Sequence, residues 1–184
     1  MDDRARLKEL LLERSVKIGD FTLASGARSS YYVDARRTTM SAEGQHLCGR
    51  VAFELLLSAG INATHVGGLT MGADPLSYSI AHASFLAGSP MDAFSVRKEA
   101  KGHGTGQLVE GGLPKGARVV VVEDSMTTGN SALKAVSAVE AHGCTVAAVL
   151  TLVDREEGGR ETVEEAGYPL LAVFTARELL ASGE

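Results

Sequence analysis

Residues 119–132 read VVVVEDSMTTGNSA, and the rest of the chain is parsed outward from this stretch. Four consecutive valines cannot present one dry and one wet face, so they suit a strand covered on both sides, as in parallel sheets. Two carboxylates follow, Glu123 and Asp124, then the small, hydroxylated turn Thr127, Thr128, Gly129, Asn130 and Ser131. The turn leads into a helix at about 131–142, which Gly143 ends. In an open parallel sheet, ligands bind beyond the carboxyl ends of the strands. A helix start offers unpaired N–H groups and partial positive charge, which together seat a phosphate. The hydroxyls of Thr127, Thr128 and Ser131 add donors. Adjacent carboxylates would repel a phosphate unless the ligand carries hydroxyls for them to accept, and ribose 5-phosphate meets both demands. Glu123 and Asp124 acting only as caps is the alternative; their combination with the valine strand and the TTGNS turn favours a ligand. A G-x-x-x-x-G-K-[ST] loop is absent, and GHGTGQ at 102–107 does not follow dinucleotide-fold spacing.

On either side of this stretch the pattern alternates. Leu7, Leu10 and Leu11 give residues 3–15 an amphipathic helical spacing. Residues 21–37, FTLASGARSSYYVDARR, read as a small hairpin or loop hood. A helix is expected over 41–59, stopped by Gly60, then a strand at 65–68, a glycine-rich turn, and a helix at about 75–84 opened by Pro75. Strands at 94–97, 119–123, 146–153 and 170–174 follow, with helices after the third strand and near 159–166. Such alternation implies βαβ units in a mostly parallel sheet flanked by helices. Residues 99–116 hold six glycines without hydrophobic periodicity, too long for an ordinary connection.

The bulk composition bounds the function. The 184 residues suit one domain: a hood at about 15–40 with C-terminal contributions, and a core at about 41–175. Hydrophobic residues make up 45% and charged residues 22%, as in soluble globular proteins. A net charge of −5 argues against a general nucleic-acid binder. The charged opening MDDRARLKELLLERS is unlike a signal peptide, and no apolar run is long enough to span a membrane, so a cytoplasmic location is expected. Cys48 and Cys144 have no partner at metal-ligand spacing.

VVVVEDSMTTGNSA resembles the 13-residue signature with which type I phosphoribosyltransferases bind 5-phosphoribosyl 1-pyrophosphate (PRPP), and RKEAKGHGTG at 97–106 resembles the mobile catalytic loop of the orotate-specific branch. The likeness extends to the hood and to GGLTMGADP. It implies the type I phosphoribosyltransferase fold, α/β with a small N-terminal hood. It also implies transfer of ribose 5-phosphate from PRPP to orotate in pyrimidine biosynthesis, giving orotidine 5′-monophosphate and pyrophosphate. On that resemblance PRPP is held by Glu123, Asp124, Ser125, Met126, Thr127, Thr128, Gly129, Asn130 and Ser131, together with Arg97, Lys98, Lys101 and His103 of the loop. Arg97, Lys101 and His103 are the expected catalytic residues, reaching the neighbouring subunit's pyrophosphate in a homodimer, while Lys98 serves its own subunit.

The loop chemistry fits its residues. Displacing pyrophosphate from an anomeric carbon builds positive charge on the ribose and negative charge on the leaving oxygens. Cations on a glycine-hinged lid stabilise that separation once water is excluded. His103 is also a proton donor by type. Mg²⁺ is expected to sit mainly on PRPP oxygens and water, with no protein metal site. Orotate carries a carboxylate, and Arg155, at the end of the fourth core strand, offers the planar guanidinium that recognises one; the alternative is a surface ion pair with Asp154 or Glu156. By resemblance Thr127 also touches the base, and Tyr31 and Tyr32 either pack over it or form hood core. Residues 69–75, LTMGADP, fall at the family's pyrophosphate loop, but Gly72 and Ala73 stand where many relatives carry a lysine, and Ala24 replaces a hood lysine. Asp74 reads as a cap for the helix opening at Pro75. A phosphoribosyltransferase for purines or other bases, or a PRPP-binding regulator without catalysis, are the alternatives.

Overall fold

In the computed structural model, which describes residues 2–22, 28–99 and 108–181, the chain alternates helices and strands around one central sheet. The amino-terminal part comprises α1 (Asp3–Arg14), the hairpin β1 (Val16–Thr22) and β2 (Arg28–Val33), and the short α2 (Arg36–Thr39). Then come α3 (Ala42–Ser58), β3 (His65–Leu69), α4 (Ala73–Leu86), β4 (Asp92–Val96) and β5 (Val109–Gly111). The remainder is β6 (Arg118–Met126), α5 (Asn130–Ala141), β7 (Thr145–Asp154), α6 (Gly159–Glu165), β8 (Leu170–Thr175) and α7 (Ala176–Leu180).

The valine strand behaves as its composition requires. Val120 and Val122 face a core built with Leu7, Leu10 and Leu11 of α1, α3 and α4, while Val119 and Val121 face a second core built with α5 and α6. All four are at most 1% exposed. Each stabilises the fold by roughly 1.5–3 kcal/mol as an upper estimate. Helix ends follow local chemistry. Ser41 Oγ accepts the Gly44 N–H at 3.1 Å to open α3, and Gly60, at φ 67°, turns the chain out of it.

The strand order is β5-β4-β3-β6-β7-β8, parallel except for β5. From β3 the chain steps outward to β4 in one direction, and from β6 it steps to β7 and β8 in the other. The loops leaving β3 and β6 therefore diverge, which opens a crevice at the carboxyl edge of the two central strands. This topological switch sets the position of the site.

Four local expectations needed correction. The glycine-rich stretch contains β5, which pairs antiparallel with β4 at the sheet edge; two strand residues and a glycine were too few to show periodicity. The hood hairpin begins at Val16 and not at residue 21. α2 and α7 are single turns below the length at which a pattern is visible. β6 runs on through Glu123 and Asp124 to Met126, because the ten residues of β7 extend the ladder to the Met126–Asp154 pair. Among the described residues, no helix is long and apolar enough to cross a membrane.

Candidate active site

A cleft of about 380 Å³ opens at the switch between β3 and β6. Its floor is the end of β6. Glu123, Asp124 and Ser125 all line it, as do Thr127 and Ser131 beyond the strand. Gly129 adopts the left-handed conformation, φ 77°, and serves as the N-cap of α5 without a side-chain bond. The first N–H groups of this twelve-residue helix thus have no side-chain cap beside the hydroxyls of the turn, an arrangement that receives an anion.

The turn is held by a backbone-to-backbone contact that no sequence pattern announced. A Cβ at Gly159, the first residue of α6, would lie 2.6 Å from the Thr127 carbonyl and 2.7 Å from Met126 Cγ. A Cβ at Gly129 would meet the Gly159 carbonyl at 2.9 Å. Two glycines are needed for α6 to buttress the turn at this distance. Met126 leaves the ligand-facing set: its side chain is fully buried in the second core, and its carbonyl accepts the Arg155 N–H at 2.9 Å. Thr128 and Asn130 are exposed at the turn's outer edge, outside the residues lining the cleft.

The acidic pair is electrostatically loaded. Burial pushes the Glu123 carboxyl up to about 7, Asp124's charge adds to the rise, and a hydrogen bond from Ser131 opposes it. Glu123 Oε2 is buried with no hydrogen-bond partner. Asp124 is also raised by burial, against hydrogen bonds from backbone N–H groups and the nearby positive charge of Arg36. The Ser125 N–H donates to Asp124 Oδ1 at 3.0 Å. Two adjacent carboxylates in one cleft, one with an oxygen that has no partner, are set to accept donors from a ligand.

Arg155 comes to the same cleft from the end of β7. It is 5% exposed, its guanidinium lies 4.5 Å over the Tyr31 ring, and its Nε donates to Tyr31 Oη at 3.2 Å. Nη2 forms an ion pair with Glu157 Oε1 at 2.8 Å, outside hydrogen-bond alignment. The alternative ion pairs are taken by other arginines: Asp154 faces Arg160 at 3.3 Å, and Glu156 faces Arg177 at 3.4 Å. Glu156, at φ 55°, donates its N–H to Asp154 Oδ1 and accepts the Arg177 N–H at the start of α7. These bonds fix the turn that carries Arg155. Tyr31 therefore packs on the arginine, and Tyr32 lines the cleft.

The loop after β3 closes the opposite wall with Leu69, Thr70, Met71, Gly72 and Ala73, and the Thr70–Met71 peptide is cis. Asp74 is not a cap, because α4 begins at Ala73 with Gly72 as its N-cap. Its carboxylate accepts instead from Thr70 Oγ1 at 2.5 Å and from Ser95 Oγ at 2.7 Å, tying this loop to β4. Asp34 and Arg36, just beyond the hood hairpin, also line the cleft; the order V-D-A-R-R gave no sign of it.

The basic cluster is placed in part. Lys98 lines the cleft. Arg97 lies outside it, bonded through Nε to Glu110 Oε1 at 2.7 Å. Its N–H donates to the Leu108 carbonyl, so the chain departs and returns at one point on the sheet edge. Lys101, His103 and the hood residue Ala24 lie outside the described residues. Among the described residues, no cluster of His, Cys, Asp and Glu forms a metal site.

The comparisons with known proteins agree with this geometry. Residues 41–166 match the family model for the phosphoribosyl transferase domain. A curated orotate phosphoribosyltransferase of Aquifex aeolicus is 47% identical over 183 residues, covering 98% of this chain and 99% of that protein. The crystal structure of Mycobacterium tuberculosis orotate phosphoribosyltransferase in complex with Fe(III) dicitrate superposes with a TM-score of 0.86 at 47% identity, covering 97% of this chain and 99% of that one. The same enzyme in complex with PRPP gives 0.82 at 43% identity, over 97% of this chain and 99% of that one.

Proposed function

This chain belongs to the orotate phosphoribosyltransferases, enzymes that transfer ribose 5-phosphate from PRPP to orotate, and from that premise we propose how its own residues divide the work. The observation that carries the assignment of roles is that one cleft holds both ends of the reaction. The acidic pair and uncapped α5 lie on its floor, and a buried arginine, ion-paired with Glu157, lies at its side.

The 5-phosphate sits on the 127–131 turn, receiving the N–H groups of α5 and the hydroxyls of Thr127 and Ser131. Glu123 and Asp124 accept hydrogen bonds from the ribose hydroxyls, which gives Glu123 Oε2 its missing donor. Arg155 binds the orotate carboxylate by exchanging Glu157 for it, and the Tyr31 ring beneath it holds the guanidinium plane. A neutral purine has no carboxylate to pair with that guanidinium, which disfavours the purine alternative. Pyrophosphate departs along the wall formed by the loop after β3. Lys98 reaches it from its own subunit, and Arg97, Lys101 and His103 reach it from a partner. Arg97 must exchange Glu110 for phosphate oxygens to do so.

Several further properties belong to the proposal. Mg²⁺ fits a cleft whose acidic oxygens are hard donors but too few to hold it alone, so substrate oxygens and water complete its shell. When bound, it neutralises charge on the pyrophosphate. A homodimer is supported by Leu57, Phe85 and Leu86 of α3 and α4, each more than half exposed. The chain works as one catalytic domain in the cytoplasm, without nucleic acid or membrane. On mixing the protein with orotate, PRPP and Mg²⁺, orotate absorbance is expected to fall. Turnover with adenine or hypoxanthine but not orotate would overturn the acceptor assignment, and PRPP binding without turnover would indicate a regulator.

A further inference from the structure

We propose that Arg36 binds the pyrophosphate of PRPP, supplying from the hood side the positive charge that the loop after β3 cannot carry. The inference rests on the orotate phosphoribosyltransferase reading above. PRPP brings its most concentrated negative charge against a cleft that already holds Asp34, Glu123 and Asp124. Cations must meet it there, and the loop itself has none: Thr70, Met71 and Gly72 are neutral.

Gly72 cannot simply be replaced by a charged residue. A Cβ at this position would stand 2.5 Å from Asp124 Oδ1 and 3.0 Å from its Cγ. Any side chain at position 72 therefore displaces a carboxylate assigned to the ribose. Ala73 is no substitute, being 2% exposed within the first core. With Gly72 packed on the Asp124 carboxylate and Ala73 in the core, a cation for this wall comes from another element.

Arg36 stands in the required place. Its side chain lines the cleft, and it shares with Met71 the wall of an adjoining hollow of about 420 Å³. Among the described residues two other cations line the cleft, Arg155, assigned to the acceptor, and Lys98, which shares the pyrophosphate with Arg36. Arg155 is buried against Tyr31, and Lys98 projects from just beyond β4. Asp34 Oδ1 takes the Arg36 Nε hydrogen bond at 2.9 Å, which uses one of the five N–H donors of a guanidinium. Asp34 is also the main group holding Arg36 in its charged form, with Asp124 contributing less. The side chain remains 47% exposed, so it can swing onto a phosphate without giving up buried contacts. The two carboxylates steady the guanidinium at the cleft mouth, and two adjacent phosphates offer it a bidentate partner.

The test is titration calorimetry of the full-length protein with Mg²⁺, using inorganic pyrophosphate and ribose 5-phosphate separately, alongside steady-state kinetics. Arg36→Ala is expected to weaken pyrophosphate binding and raise KM for PRPP by at least about tenfold, as for lost charge-assisted hydrogen bonds. Ribose 5-phosphate affinity and KM for orotate should stay within about twofold. Arg36→Lys should recover part of the loss, and Arg36→Gln should behave as Arg36→Ala. Pyrophosphate affinity unchanged in Arg36→Ala, or an equal loss for ribose 5-phosphate, overturns the proposal while leaving the enzyme assignment standing. A wild-type protein that neither binds pyrophosphate nor consumes orotate with PRPP overturns both.

Discussion

Replacing Glu123 with glutamine is expected to make the protein more stable and less active, and the size of the gain can be worked from the cleft. In the folded chain this carboxyl titrates near 7, pushed up by burial and then by Asp124, against an ordinary value of 4.5. Between those two pH values the folded protein keeps a proton that the unfolded chain has released. Stability therefore falls as pH rises from about 4.5 to about 7 and is level above that range. Two and a half pH units at about 1.36 kcal/mol each give roughly 3 kcal/mol of lost stability at pH 8, as a ceiling. Glutamine keeps the shape and the acceptor facing Ser131 while removing the ionisation. At about 2–4 °C per kcal/mol for a chain of this size, the melting temperature at pH 8 should rise by several degrees and by at most about 12 °C. At pH 5, where the folded carboxyl is still largely protonated, the difference should shrink to under about 1 kcal/mol. The assay is thermal unfolding of both proteins without ligand from pH 5 to pH 8. kcat/KM for PRPP, measured alongside, is expected to fall because the amide accepts hydrogen bonds more weakly than a carboxylate. Parallel melting curves across that pH range would refute the reasoning, since the burial of Glu123 would then carry no ionisation cost.

Three other substitutions address the remaining parts of the site. Arg155→Ala should raise KM for orotate by about 30-fold or more, roughly 2 kcal/mol, with KM for PRPP little changed. An equal rise in both would remove the arginine from acceptor recognition. Lys101→Ala should lower kcat by about two to three orders of magnitude while the melting temperature holds, and near-normal turnover would take the loop out of catalysis. Gly159→Ala forces a methyl against the Thr127 carbonyl, 2.6 Å from its ideal position. It should cost about 1–3 kcal/mol and raise KM for PRPP, whereas unaltered kinetics would show that the turn does not depend on its buttress.

The parts of this site that could be read from the sequence are those whose chemistry is local. The valine strand, Glu123, Asp124 and the 127–131 turn are contiguous, and a strand–turn–helix unit places them without help from distant residues. Arg155 was legible because a strand end in a parallel sheet points to the ligand edge. The contacts of Asp34, Arg36, Gly72 and Gly159 were not, because each depends on a pairing across the fold. Gly72 gains meaning only against Asp124, and Gly159 only against Thr127. Asp74 was misread for a related reason. A carboxylate before a proline looks like a cap, and only the arrival of Ser95 from β4 shows what it holds. β5 was hidden because an edge strand of three residues takes its pairing from β4 and not from its own composition.

The hydrogen bond from the Arg97 N–H to the Leu108 carbonyl has a consequence for how the enzyme can be altered. It fastens both ends of the intervening segment at a single point, above the β4–β5 pair, so the sheet does not register how many residues lie between. Lengthening such an excursion adds little entropic penalty, about 0.6 kcal/mol for each doubling. The segment is in this sense a cassette. Beyond Lys98, its length and charge can be exchanged for those of a relative, with the hood and the core left as they are.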